Sequence, residues 1–115
     1  MKFASICLVA AAAPLAPLAG STALAETGFA SVYSTDSGAR TASGTRLDPG
    51  AMTAAHRSFP FGSRVRVTNR RNGRSVVVTV NDRGPFVRGR IVDVTRAAAD
   101  ALGLSGLTQV RVERE

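Results

Sequence analysis

Thiol chemistry is nearly absent from this chain of 115 residues: its single cysteine, Cys7, sits in an apolar leader, and everything from residue 26 onward has none. The body of the protein therefore forms no disulfide and uses no cysteine nucleophile. There is no tryptophan and one tyrosine, Tyr33, which leaves little aromatic surface on which bases would stack, so nucleic acid is not an expected partner. With one histidine, His56, and no thiol outside the leader, a metal site would have to be built almost wholly from carboxylates; no metal and no cofactor are expected. The one long apolar run, Phe3 to Leu18, is interrupted by Pro14 and Pro17 and falls short of the roughly 20 residues a membrane-spanning helix needs.

That run is preceded by Met1-Lys2 and followed by Thr22-Ala23-Leu24-Ala25. A positive start, an apolar core and a small-x-small end make a secretory signal peptide over 1–25, with cleavage expected before Glu26. Ala4-Ser5-Ile6 before Cys7 lacks the leucine and small residues that precede a lipid-modified cysteine, so no lipidation is expected. The predicted destination is the periplasm or cell envelope, and the predicted domain is 26–115. With Lys2 gone, fourteen basic residues remain, all arginine, against eight acidic ones, a net charge of +6. Such a balance favours an anionic partner, and for an exported protein a carboxylate-bearing cell-wall polymer fits that description.

Short apolar segments separated by turn residues dominate the rest, which is the pattern of a small β-barrel or sandwich. Strands are predicted at Phe29 to Tyr33, Arg64 to Asn69, Arg74 to Val80, Arg90 to Val94 and Thr108 to Glu113, with a hairpin turn at Asn72-Gly73 and Arg70-Arg71 at its solvated tip. Thr95 is placed to cap a helix over Arg96 to Leu102 that Gly103 ends. Closing so many short strands on one another hides their edges.

Three polar segments exceed what a scaffold needs: Thr41-Ala42-Ser43-Gly44, Thr53-Ala54-Ala55-His56 and Asn81-Asp82-Arg83-Gly84-Pro85-Phe86. Asp82 ends an apolar strand at a Gly-Pro turn, where its carboxylate is either a held functional group or an acceptor for its own turn. His56 is either functional or satisfied by backbone. Arg83 and Arg90 either clamp an anion or pair with Asp82 and Asp93.

Taken together, GFASVYSTDSGARTASGTRLD, TAAHRSFPFGSRVRVTN, NGRSVVVTVNDRGPF, GRIVDVTRAAADALGL and the closing VRV, spanning 28 to 113 in order, resemble the rare lipoprotein A family. The resemblance implies a mainly β chain folded as a six-stranded double-psi β-barrel with one or two short helices, acting as a peptidoglycan lytic transglycosylase. Such enzymes cut glycan strands, preferably those stripped of stem peptides, and leave 1,6-anhydromuramic ends. It implies Asp82 as the catalytic acid, with His56 orienting the sugar or tuning that carboxyl, and Tyr33, Thr45, Arg83, Phe86 and Arg90 as substrate-binding residues. An acid that donates near neutral pH needs surroundings that favour its neutral form, and Phe86 and Val80 are the expected apolar neighbours. Arg83, Arg90 or Arg46 would hold the lactyl carboxylate of a stripped muramic acid.

Two positions depart from the family pattern. Thr45 stands where members carry a catalytic Glu after Ser-Gly, and Val32 stands where an aromatic precedes the tyrosine. Asp48, three residues beyond Thr45, is no evident replacement. The alternative reading is therefore a non-catalytic, expansin-like barrel that binds peptidoglycan without cutting it.

Overall fold

The computed structural model describes residues 25–33 and 39–115; the predicted signal peptide, except for its last residue Ala25, and Cys7 lie outside the described residues. Six strands close into a barrel: β1 (Ala25–Val32), β2 (Thr53–Ala55), β3 (Arg64–Asn69), β4 (Ser75–Asp82), β5 (Arg90–Val94) and β6 (Thr108–Arg114), in the spatial order β1-β5-β2-β4-β3-β6. The pairs β1/β5 and β2/β4 are parallel and the others antiparallel. The chain is a double-psi β-barrel, as the resemblance implied.

Valine builds its interior. Val65 and Val67 on β3, Val78 and Val80 on β4, Val92 and Val94 on β5 and Val110 and Val112 on β6 are all fully buried. Each pair is two residues apart, so the period of a strand turns both to one face, and the branched side chain suits a pleated surface. Each such burial contributes about 1.5–3 kcal/mol relative to exposure. Close approach of β1 to β5 requires Gly28, where an added Cβ would lie 2.7 Å from Ile91 Cγ2.

The hairpin between β3 and β4 turns at Gly73, whose φ of 80° is left-handed. Arg70 and Arg71 are exposed at its tip. The helix α1 (Arg96–Leu102) starts at Thr95, whose side chain accepts from the Ala98 amide, and stops at left-handed Gly103. Buried Asn69 ties hairpin to helix by donating to the Leu102 carbonyl over 2.9 Å. One strand escapes sequence reasoning: two of the three residues in Thr53-Ala54-Ala55 are alanines, which favour strands little, yet it pairs with β4 on one side and β5 on the other. Neighbours, not its own residues, make it a strand.

Candidate active site

Where β1 and β4 end, a cleft of about 310 Å³ opens between the barrel and the 39–47 segment, lined by Ser31, Tyr33, Thr41, Asp82, Arg90 and Asp93 together with Val32, Ala39, Arg40 and Leu47. Asp82 is the last residue of β4. Its Oδ1 accepts from the amides of Ala42 at 2.7 Å and Arg83 at 2.9 Å, and its Oδ2 accepts from the Tyr33 hydroxyl at 3.0 Å. The carboxylate caps its own turn through Arg83 and also reaches across the chain to Ala42. The contact with Ala42 pins the 41–44 turn over the strand end.

Tyr33 is half-buried. Burial first, and then the neighbouring Asp82 carboxylate that accepts its proton in a hydrogen bond, push its phenol well above the ordinary tyrosine range, with Asp93 adding to the effect. The hydroxyl therefore stays protonated and remains a donor to Asp82 throughout the neutral range.

His56 is placed differently from expectation. Its side chain is only 3% exposed, and its Nε2 meets Glu26 Oε1 at 2.7 Å. The Nδ1 accepts from the amides of Ser58 at 3.1 Å and Phe59 at 3.0 Å. Because Nδ1 accepts two amides, the ring's proton sits on Nε2, facing Glu26. The ring also stacks on Phe59, with centroids 3.8 Å apart. His56 meets Asp82 through the backbone, its amide donating to the Asp82 carbonyl at 3.1 Å. It thus anchors the loop beside the cleft, and it does so with both ring nitrogens engaged.

Arg83 pairs with neither Asp82 nor Asp93 among the described residues. Its Nη1 donates to the carbonyls of His56 at 3.2 Å and Phe59 at 2.8 Å, and the guanidinium lies 4.1 Å above the centre of the Phe61 ring. The His56 ring and Arg83 hold the same loop from two directions. Phe86 is 77% exposed, and Val80 faces the interior of the barrel. The apolar shelter expected around Asp82 from these two is therefore absent, because the Gly84-Pro85 turn carries Phe86 outward and Val80 packs in the buried core of the barrel. Arg90 lines the cleft as expected; Arg40 lines it in place of Arg46. Thr45 is exposed beside the cleft wall, where its hydroxyl meets Thr41 Oγ1 at 2.9 Å and Ser43 Oγ at 3.1 Å. Asp48 accepts from the Gly50 amide, which occupies it in its own turn.

A family model described as lytic transglycolase matches residues 25–114, which takes in every strand of the barrel and the whole cleft. The chain belongs to this family. Lytic transglycolase relatives include a probable endolytic peptidoglycan transglycosylase RlpA from Nostoc sp., 56% identical over 101 residues, covering 84% of this chain and 27% of that protein. The Yersinia pestis endolytic peptidoglycan transglycosylase RlpA is 52% identical over 75% of this chain and 24% of its own length, and that of Escherichia coli K12 is 45% identical over 76% and 25%. The chain thus spans about a quarter of the length of these relatives. Among solved structures, a Clavibacter michiganensis expansin superposes with a TM-score of 0.62 at 23% identity, covering 79% of this chain and 50% of that one; it shares the fold. The Streptomyces papain inhibitor gives 0.54 at 27% identity, over 76% and 93%.

For this member of the lytic transglycolase family, sequence reasoning located Asp82, Tyr33 and Arg90, which share the cleft. It did not single out Ser31, Arg40 or Asp93 as functional. Asp93 carried a signal of its own, as the one acidic residue within the apolar strand Ile91-Val92-Asp93-Val94.

Proposed function

We propose that this barrel cleaves peptidoglycan glycan strands, preferably those lacking stem peptides, as a lytic transglycosylase. The observation that carries the reading is the Asp82 carboxylate, fixed by three donors at the floor of an open cleft. Membership in the family and the names of the relatives support it. In the reaction the bridging glycosidic oxygen gains a proton as its bond to the muramic C1 breaks. The C6 hydroxyl of the same sugar bonds to C1, and its own proton leaves to a carboxylate, so no water is consumed. At Asp82, Oδ1 is taken by two amides, so Oδ2 is the oxygen through which protons pass. Tyr33 orients that oxygen. Arg40 and Arg90 give the cleft the positive charge that a lactyl carboxylate requires.

The proposed setting is the periplasm or cell envelope, reached through cleavage of the signal peptide before Glu26, without lipidation. Incubating the 26–115 domain with amidase-treated peptidoglycan should yield anhydro-ended glycans by mass spectrometry, and Asp82→Asn should yield none. Binding without any such product would instead favour the expansin-like reading, for which the hydroxyl of Thr45 in place of a carboxyl is the supporting observation.

A further inference from the structure

We propose that Asp93 is the second acid–base carboxylate of the cleft, supplying the proton that Thr45 has no group to give; this rests on the glycan-cleaving function proposed above. Strand register carries the argument. Ala55 on β2 pairs with Asp82 on β4 and also with Asp93 on β5, and Asp93 in turn pairs with Ser31 on β1. Ser31, Asp93, Ala55 and Asp82 therefore form one row across four neighbouring strands. Two strand spacings of about 4.8 Å put the backbones of the two aspartates about 10 Å apart, with only a methyl group between them. Alternation along β5 turns Val92 and Val94 into the barrel and Asp93 the opposite way, into the cleft it lines with Asp82. Their side chains thus flank the same space, and both act on the phenol of Tyr33.

Their hydrogen bonds divide the work. Asp82 receives three donors, two of them backbone amides that cannot turn away, so its position and the direction of Oδ2 are fixed. Among the described residues Asp93 receives one donor, the Ser31 hydroxyl, a group that can rotate to accept when Asp93 is protonated. The Asp93 proton passes to the bridging oxygen as the C1–oxygen bond breaks. The C6 oxygen bonds to C1, and its proton passes to Asp82. Exchange with solvent through the open cleft returns both acids to their starting states. The plainer alternative is that Asp93 only fixes Ser31 and with it the β1/β5 pairing.

Rates of anhydro-product formation on amidase-treated peptidoglycan, measured across pH for wild type, Asp93→Asn, Asp93→Glu and Asp93→Asn with Thr45→Glu, decide between them. Asp93→Asn should lower kcat by about 100- to 10,000-fold with KM little changed, and should remove the limb of the pH profile that reports the donor. Asp93→Glu should keep that limb, and adding Thr45→Glu to Asp93→Asn should restore part of the rate. Asp93→Asn with wild-type kcat, or a rate that falls only in step with the folded fraction, overturns the assignment while leaving the proposed function standing. A wild-type protein that makes no anhydro product removes both. Should Asp93→Asn fail to fold, Ser31→Ala takes its place: it strips the one donor from Asp93 and should displace the same limb, and an unmoved limb overturns the assignment.

Discussion

The Tyr33 hydroxyl donates a hydrogen bond to Asp82 Oδ2 over 3.0 Å, joining the end of β1 to the end of β4 through two side chains 49 residues apart. The bond aligns the carboxylate that the proposed reaction needs, and it gives the protein a reporter, since this is the only tyrosine in the chain.

Alkaline titration should show this directly. An unfolded tyrosine ionises near pH 10, whereas burial and Asp82 hold the native phenol above that value. Above about pH 10 the unfolded chain loses a proton that the native state keeps, so stability is complete below that pH and declines as pH rises beyond it. Phenolate absorbance near 295 nm should stay flat through about pH 10 in the native protein and rise there in urea. Tyr33→Phe should abolish the alkaline decline in stability and, by freeing Asp82 Oδ2, cost about 1.5–3 kcal/mol in kcat/KM on stripped glycan.

Thr45→Glu should raise the rate of anhydro-product formation by about 10-fold or more. The position is exposed at the cleft wall, so a longer side chain has room, and a carboxyl there can donate where a hydroxyl does not. Circular dichroism should show an unchanged fold, because among the described residues the Thr45 side chain exchanges hydrogen bonds only with the hydroxyls of Thr41 and Ser43.

His56→Ala strands the amides of Ser58 and Phe59 and should destabilise the domain by about 2–4 kcal/mol, with faster hydrogen exchange over residues 57–62. In His56→Asn the side-chain oxygen falls near the place of Nδ1 and can accept the same amides. If His56 works by positioning the loop, Asn should retain most of the stability and activity that Ala loses. Equal loss of activity in both, at equal folding, would mean the imidazole itself takes part.

Gly28→Ala places a methyl group against buried Ile91, 2.7 Å from its Cγ2, and 3.2 Å from the Gly89 carbonyl oxygen. Urea denaturation should show a loss of about 1–3 kcal/mol, because β1 must move off β5. That shift also displaces Ser31 and Tyr33, so activity should fall more steeply than stability.

Local rules were legible in the linear chain because they act over a few residues. Alternating valines announced β3 and β6, Asn72-Gly73 announced the hairpin, Thr95 and Gly103 bounded the helix to the residue, and the turn after Asp82 marked a carboxylate held at a strand end. The resemblance supplied the barrel itself. What only the tertiary structure decided depends on partners far away in sequence. Thr53-Ala54-Ala55 is a strand because β4 and β5 flank it; Asp93 joins Asp82 because both pair with Ala55; His56 turns from the cleft because Glu26 and two loop amides occupy its ring; Arg83 spends its charge on carbonyl oxygens. The physical reason is the same throughout: backbone preference and periodicity set each segment's own geometry, while barrel closure sets which segments lie side by side, and a site made of several strands exists only after that closure.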